Sequence, residues 1–138
     1  MAKKGENLTR KVKNLKLVYK DYPQKQLLVA LPNPCTTRDY EVEITTSEFT
    51  TLCPLNPGQP DYAKLTIQYH PHSHIIELKS LKFYLTSYRT VEMFFEAATN
   101  RILDDLVESV KPNKMVLIAE WNVRGGASTK VTASYSKL

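Results

Sequence analysis

The chain has 138 residues and a mass of 15.8 kDa, which fits a single domain large enough for a hydrophobic core. Its hydrophobic content of 42% and charged content of 24% are those of an ordinary globular protein. The sequence has no apolar run long enough to span a membrane and no apolar core of a secretion signal, so we expect no membrane partner.

The basic charge of the chain is concentrated at its start. The net charge is +5 and the pI is about 9.2, but seven basic residues and one acidic residue fall within the first twenty. The remainder has 12 basic and 13 acidic side chains. We therefore predict a basic, flexible extension over residues 1–20, one domain over residues 21–138 and no stable nucleic-acid partner. Two cysteines do not make a disulfide framework, so a reducing cytoplasm is the expected location.

The first half of the domain is typical of short β-strands. Three prolines break the chain into extended pieces around residues 27–31. Apolar and polar residues then alternate over residues 40–45 and again over residues 63–69, which predicts two half-buried strands. The segment between them, residues 53–61, is rich in proline, asparagine and glycine and predicts a stiff loop.

In the second half of the domain the spacing of the apolar residues changes. Apolar residues recur every four positions over residues 94–110, which predicts an amphipathic helix ending before Pro112, and residues 79–87 predict a shorter helix. Apolar and polar residues alternate again over residues 115–123 and 129–135, which predicts two strands on either side of a Gly125-Gly126 turn. This outline predicts an α+β fold, a four-stranded antiparallel sheet with two helices on one face. Such a sheet leaves two edges uncovered, so we expect the chain to form oligomers.

Two residues at the ends of the stiff loop are candidates for covalent chemistry. Cys53 lies at its start and Asp61 at its end, where a carboxyl group could exchange a proton with whatever the thiol binds. A buried structural cysteine and a turn-forming aspartate are the alternatives. Cys35 has no carboxylate near it in the sequence and is interpreted as structural.

Three histidines alternate at the end of the second strand. His70, His72 and His74 would share one face of a regular strand and could bind zinc, but Pro71 interrupts that strand. A solvated connecting segment is the favoured interpretation, and we predict no metal site.

Several cationic and acidic residues are candidates for ligand contacts. Lys79 and Lys82 are three residues apart on one predicted helix face, where two ammonium groups suit a phosphate-bearing cofactor. Arg124 precedes the Gly125-Gly126 turn and is a second candidate anion contact. The alternative for the two lysines is a solvated charged helix face, and the alternative for Arg124 is a plain hairpin turn. Glu96 follows two phenylalanines and suits a purine-like ring with N–H donors, or else is an exposed helical glutamate.

Taken together, five segments resemble the single-domain NADPH-dependent 7-cyano-7-deazaguanine reductases, nitrile reductases of queuosine biosynthesis and tRNA modification. The run from Glu77 to Tyr84, Glu-Leu-Lys-Ser-Leu-Lys-Phe-Tyr, matches the cofactor motif of that family. The other matching segments are Leu52-Cys53-Pro54 with Gly58-Gln59-Pro60-Asp61, Ser87-Tyr88-Arg89, Glu96 with Asn100-Arg101-Ile102, and Asn122 to Gly126.

The resemblance implies a tunnelling fold whose subunits join edge to edge into an oligomeric barrel, typically a decamer of two stacked pentamers with active sites between subunits. It implies that Cys53 is the nucleophile and Asp61 the proton donor. The substrate 7-cyano-7-deazaguanine (preQ0) would be reduced to 7-aminomethyl-7-deazaguanine (preQ1) with two NADPH per turnover. The residues implied to bind the substrate are Ile76, Glu77, Leu78, Phe95 and Glu96, and those implied to bind the cofactor are Lys79, Lys82, Arg124 and Gly125.

The chain departs from the family pattern at two points. Its loop from Cys53 to Asp61 is one residue longer, with Asn56-Pro57 where the family has threonine, and Phe95 stands where the family commonly has histidine. An alternative function on the same scaffold is that of an amidinotransferase or a zinc-dependent cyclohydrolase acting on a related purine-like substrate. A small RNA-binding module that uses the basic extension ranks third.

Overall fold

The computed structural model describes residues 4–138. Two single 3₁₀ turns, Lys25–Leu27 and Ser87–Thr90, connect its longer elements. The helices and strands, in chain order, are α1 Lys4–Lys13, β1 Ala30–Pro32, β2 Val42–Leu52, β3 Pro60–His70, β4 His74–Ile76, α2 Leu78–Thr86, α3 Phe95–Val110, β5 Lys114–Arg124 and β6 Ala127–Ser136.

The main sheet has the strand order β2-β3-β5-β6, and every neighbouring pair is antiparallel. The predicted α+β class and four-stranded antiparallel sheet are therefore confirmed. The two alternating segments of the first half are β2 and β3, but both strands are longer than predicted. β3 begins at Pro60, so Asp61 belongs to a strand and not, as predicted, to the loop. Proline is tolerated at the first residue of a strand, where it need not donate a hydrogen bond to the sheet.

A second, two-stranded sheet was not predicted. β1 and β4 are three residues each and pair antiparallel, with Ala30 opposite Ile76. Strands this short have no measurable period, and Pro32 argues against a strand when only the sequence is considered. This small sheet fixes the segment that leads into α2.

The core lies between the main sheet and helices α2 and α3. Alternate residues of β3 and β5 are buried, as are the apolar residues that recur along α3. These side chains form one cluster, which includes Leu65, Ile67, Leu117, Ile102 and Leu106. Burial of one sheet face under the helices is the largest favourable contribution to the stability of such a domain.

The basic extension contains a helix that was not predicted. Within the described part of the chain, α1 spans Lys4–Lys13, and Leu15 and Leu17 behind it pack against the core. Residues 1–3 of the extension lie outside the described residues. The division of the chain at residue 20, and the flexibility of the residues before it, stay predictions. None of the helices in the described residues is long and apolar enough to cross a membrane.

A buried polar network ties α2 to α3. Asp105 is 4% exposed and accepts hydrogen bonds from the Tyr84 hydroxyl at 2.6 Å and from Nε of Arg101 at 3.0 Å. The hydroxyls of Tyr84 and Tyr88 lie 2.8 Å apart. Burial raises the pKa of both tyrosines above the ordinary value of a phenol, because the charged phenolate is poorly solvated there.

Removal of this buried carboxylate is expected to destabilise the fold. Asp105→Ala leaves the Tyr84 hydroxyl and the Arg101 guanidinium without their acceptor, and we expect the free energy of unfolding to fall by about 2–4 kcal/mol. Urea unfolding measures the change. The control is Asp104→Ala, a neighbouring exposed residue of the same helix, for which a change within about 0.5 kcal/mol is expected. Equal losses in the two variants would contradict a stabilising role for the network.

Candidate active site

Cys53 and Asp61 are brought together by the pairing of β2 with β3. Thr51 is paired with Asp61, and beyond the end of β2 the backbone N–H of Cys53 donates to the carbonyl of Gln59 at 2.9 Å. In an antiparallel pair, residues two positions apart face the same side. Cys53 and Asp61 are thus diagonal neighbours on one face of the sheet, at a spacing that suits side chains acting on one small group.

The loop between them closes in a tight turn. The backbone N–H of Gln59 donates to the carbonyl of Asn56 at 3.1 Å, with Pro57 and Gly58 at the two central positions. Gly58 has a φ of 80°, the conformation that the second central residue of a type II turn requires. The turn lies beyond the Cys53–Gln59 backbone bond. The relative position of Cys53 and Asp61 is therefore fixed by this bond and by the pairing of β2 with β3, and not by the turn.

The segment before α3 is held against the same strand end. Leu52 donates its backbone N–H to Val91 at 2.9 Å and accepts from Met93 at 3.1 Å, a short parallel bridge. This bridge places Phe94 and the first turn of α3 beside Cys53. The free N–H groups at the amino end of a 16-residue helix favour negative charge in the space that they face.

These elements enclose a cleft of about 360 Å³. We call it the Cys53 cleft. Its lining residues are Cys53, Pro54, Gln59, Asp61, Met93, Phe94, Phe95, Glu96 and Arg124. Five of the residues singled out in the sequence (Cys53, Asp61, Phe95, Glu96 and Arg124) thus lie around one cavity, although they come from four separate parts of the chain.

Asp61 is buried and firmly held. The residue is 4% exposed, and its Oδ1 lies 2.9 Å from Nε and 2.7 Å from Nη2 of Arg124. The side-chain amide of Gln59 donates to the same oxygen at 3.3 Å. Arg124 also donates to the carbonyl of Pro60 at 2.6 Å. Sequence reasoning placed Arg124 at a cofactor and did not anticipate this ion pair, because it joins residues 63 positions apart.

Phe95 has a partner that the sequence did not reveal. Its ring stacks on Trp121 with centroids 4.2 Å apart and planes 7° from parallel. Trp121 is buried in β5 and also contacts Phe49 edge-on, with centroids 5.8 Å apart. The stack fixes the orientation of Phe95 at the cleft wall. Glu96, the next residue, is exposed in the first turn of α3.

The other predicted ligand residues do not line the Cys53 cleft. Ile76 is buried in β4, and Glu77 caps α2 by accepting from the backbone N–H groups of Lys79 and Ser80 at 2.8 and 2.7 Å. Leu78 is 60% exposed and, with Lys82, lines a separate cleft between α2 and β2. We call this the α2 cleft.

The cations of α2 and the hairpin are available to an anionic ligand. Lys79 and Lys82 are both exposed, and neither forms an ion pair with a carboxylate of the described residues. The ammonium group of Lys79 lies 5.5 Å from the centre of the Phe83 ring. Gly125 has a φ of 58°, and a side chain built on it would contact nothing within 4 Å, so the backbone there is open to a ligand.

The histidines have a different setting. His70 ends β3 and lies 2.9 Å from Asp39 and 3.6 Å from Glu41, while His74 begins β4. Across residues 4–138, the structure contains no group of three or more potential ligands (His, Cys, Asp or Glu) placed to hold a metal ion. Cys35 lies 3.9 Å from the hydroxyl of Thr37, outside both clefts.

Comparison with known proteins identifies close relatives. A family model described as QueF-like protein matches residues 60–138. The NADPH-dependent 7-cyano-7-deazaguanine reductase of Thermomicrobium roseum is 54% identical over 115 residues, which cover 83% of this chain and 88% of that protein. The protein of the same name from Chlorobaculum tepidum is 47% identical over 113 residues, which cover 82% and 96% of the two chains.

One solved structure is similar in fold. The archaeosine synthase QueF-Like in its apo form superposes with a TM-score of 0.65, covering 71% of this chain and 95% of that one. The two sequences are 19% identical, so this likeness shows the fold alone.

Proposed function

The chain belongs to the QueF-like family, and we propose that it reduces the nitrile of 7-cyano-7-deazaguanine by way of a covalent bond to Cys53. It is an NADPH-dependent oxidoreductase that acts on a nitrile and supplies 7-aminomethyl-7-deazaguanine to queuosine biosynthesis. The observation that supports the covalent route is the Cys53 cleft, where a thiol, a buried carboxyl group and a stacked aromatic ring surround one cavity.

Cys53 is suited to nitrile chemistry because sulfur both adds and leaves readily. A nitrile carbon is a weak acceptor of hydride, whereas the thioimide formed when the thiolate adds to it is a better one. The new C–S bond uses the sulfur lone pair, and the nitrile nitrogen takes a proton. NADPH, when bound, would supply a hydride to this carbon in each of two reductions. Loss of the Cys53 thiolate then leaves an imine, and a second reduction with a second proton gives the primary amine.

Asp61 is the proposed proton donor to the nitrile nitrogen. Its side chain faces the same side of the sheet as Cys53 and is held by Gln59 and Arg124. A carboxyl group of fixed orientation gives a proton to the nitrogen without the entropic cost of finding that orientation, and Asp61, the ion-pair partner of Arg124 in the structure, has first to take up that proton.

Phe95 and Glu96 are the proposed contacts for the deazaguanine ring. Phe95 presents a ring locked by Trp121, and the exposed carboxylate of Glu96 accepts N–H groups of the heterocycle. Since Phe95 stands where the family commonly has histidine, this position contributes packing and no proton. Proton delivery in this chain therefore depends on Asp61 and Glu96.

Lys79 and Lys82 are proposed to hold the phosphates of NADPH, with Arg124 and the open backbone of Gly125. The ammonium groups of the two lysines are exposed and form no ion pair with a carboxylate of the described residues, and they fit an anionic cofactor because an anion relieves their mutual repulsion. In one chain these lysines and the residues 76–78 lie apart from the Cys53 cleft.

We infer that a neighbouring copy of the chain supplies Ile76, Glu77, Leu78 and the two lysines to each Cys53 cleft. The free edges of β2 and β6, within the described residues, allow subunits to join sheet to sheet. The proposed assembly is the barrel of the tunnelling fold, a decamer of two pentamers, with each active site between subunits.

The function is tested by mixing the protein with 7-cyano-7-deazaguanine and following the absorbance of NADPH. We expect two NADPH to be oxidised for each amine formed, which mass spectrometry of the product measures. The matched control omits the nitrile, and no oxidation is expected there. An assembled protein that oxidises no NADPH with this nitrile would refute the proposed function.

A further inference from the structure

Two buried side-chain atoms of the described residues have no hydrogen-bond partner, Oγ1 of Thr51 and Nε1 of Trp121. Thr51 is completely buried, with an exposed fraction of 0%. A buried hydroxyl without a partner destabilises a protein, and valine would fill the same space without that cost. An unpaired hydroxyl in this place therefore calls for a role beyond packing.

Thr51 lies directly opposite the proposed proton donor. It is paired with Asp61 across β2 and β3, so the two side chains project from the same face of the sheet. Side chains so paired have their Cβ atoms about 4.5–5.5 Å apart, which brings a threonine hydroxyl within reach of a carboxyl group that turns towards it.

The partners of Asp61 leave one of its oxygens for Thr51. Arg124 and Gln59 both donate to Oδ1, and the hydrogen bonds of the described residues include none to Oδ2. The same guanidinium is the proposed contact for the cofactor phosphates. A guanidinium that turns to a phosphate weakens its hold on Asp61, and the carboxylate then needs another donor.

We propose that Thr51 is a positioning residue for Asp61, donating its hydroxyl to Oδ2 when the cofactor engages Arg124. This inference rests on the proposed role of Asp61. No proton is transferred by Thr51. When Asp61 gives its proton to the nitrile nitrogen, the hydroxyl stabilises the carboxylate that remains and keeps it pointed at the substrate, where it takes up the next proton.

Thr51→Val tests the proposal because it removes the hydroxyl and keeps the shape. We expect kcat to fall roughly tenfold, the effect of one lost hydrogen bond to a charged group, with KM for the nitrile unchanged because Thr51 does not touch the substrate. Thr51→Ser keeps a hydroxyl and is expected to retain most of kcat. An unchanged kcat in Thr51→Val would overturn the proposal.

A matched control separates this role from packing. Thr50→Val changes the adjacent buried threonine, whose hydroxyl lies 3.4 Å from the carbonyl of Thr51, and is expected to leave kcat unchanged. Thr51→Val is expected to melt at the same temperature as the wild type or higher, since an unpaired buried hydroxyl is lost. A lower melting temperature together with a lower kcat in both variants would point to packing instead.

A crystal structure with NADP⁺ decides the contact without an activity measurement. We expect Oγ1 of Thr51 within about 3.2 Å of the Asp61 carboxylate. A separation above about 4 Å in that complex would refute the positioning role. Absence of nitrile reduction by the wild type would refute the proposed function, and the distance in the complex would still report on Thr51.

Discussion

Cys53→Ala is expected to lower nitrile reduction by roughly a thousandfold or more, because the variant has no nucleophile to form the thioimide. Without the C–S bond, hydride would have to add directly to the nitrile carbon. The residues proposed to bind the ring and the cofactor remain in place, so we expect the variant to bind the nitrile and NADPH and to convert neither.

Mass spectrometry of the intact protein measures the covalent step separately from reduction. Wild type incubated with 7-cyano-7-deazaguanine in the absence of NADPH should gain the mass of the nitrile compound, and Cys53→Ala should not. The matched control is Cys35→Ala, which removes the other cysteine, outside both clefts, and should still form the adduct. An adduct on Cys53→Ala, or full reduction by it, would show that another residue is the nucleophile.

Mixing two inactive variants is expected to restore activity if each site is built from two subunits. Cys53→Ala lacks the proposed nucleophile but has both lysines, and the double variant Lys79→Ala/Lys82→Ala has Cys53 but lacks the lysines proposed to bind the cofactor. In a random equal mixture, roughly a quarter of the sites combine an intact Cys53 cleft with an intact lysine pair, as follows from heterologous contacts in a ring. We therefore expect about a quarter of wild-type activity after the two variants are unfolded together and refolded.

The control for this experiment uses two defects in the same cleft. Cys53 and Asp61 line one cavity of one chain, so a mixture of Cys53→Ala with Asp61→Asn contains no intact site and should stay inactive. If the lysine variant also failed to complement Cys53→Ala, the lysines would act on the cleft of their own chain. The interfacial assignment would then be wrong.

The local pattern of apolar and polar residues was enough to predict the main elements of the fold. The four-residue apolar repeat that predicts α3, and the alternation that predicts β3 and β5, are each imposed by burial of one face of one element. The small β1–β4 sheet lacks such a signal because three-residue strands are stabilised by their tertiary surroundings. Helix α1 was missed because its charge favoured a solvated tail, while Leu15 and Leu17 behind it pack on the core.

The site was predictable only in part. Cys53, Asp61 and the lysine motif stand out in the sequence because they lie in unusual local composition. The Arg124–Asp61 ion pair and the Phe95–Trp121 stack join residues far apart in the chain, and their formation depends on strand register. Thr51 had one usable signal. Thr51 lies two residues before Cys53, and Asp61 lies two residues after Gln59. A hairpin that pairs Cys53 with Gln59 therefore also pairs Thr51 with Asp61.

The type II turn at Asn56–Gln59 has a consequence for changes in the length of this loop. The backbone bond between Cys53 and Gln59 closes the loop ahead of the turn, so the spacing of sulfur and carboxyl is inherited from β-sheet geometry. We therefore expect a change in length at the tip of the turn to leave the spacing of Cys53 and Asp61 unchanged.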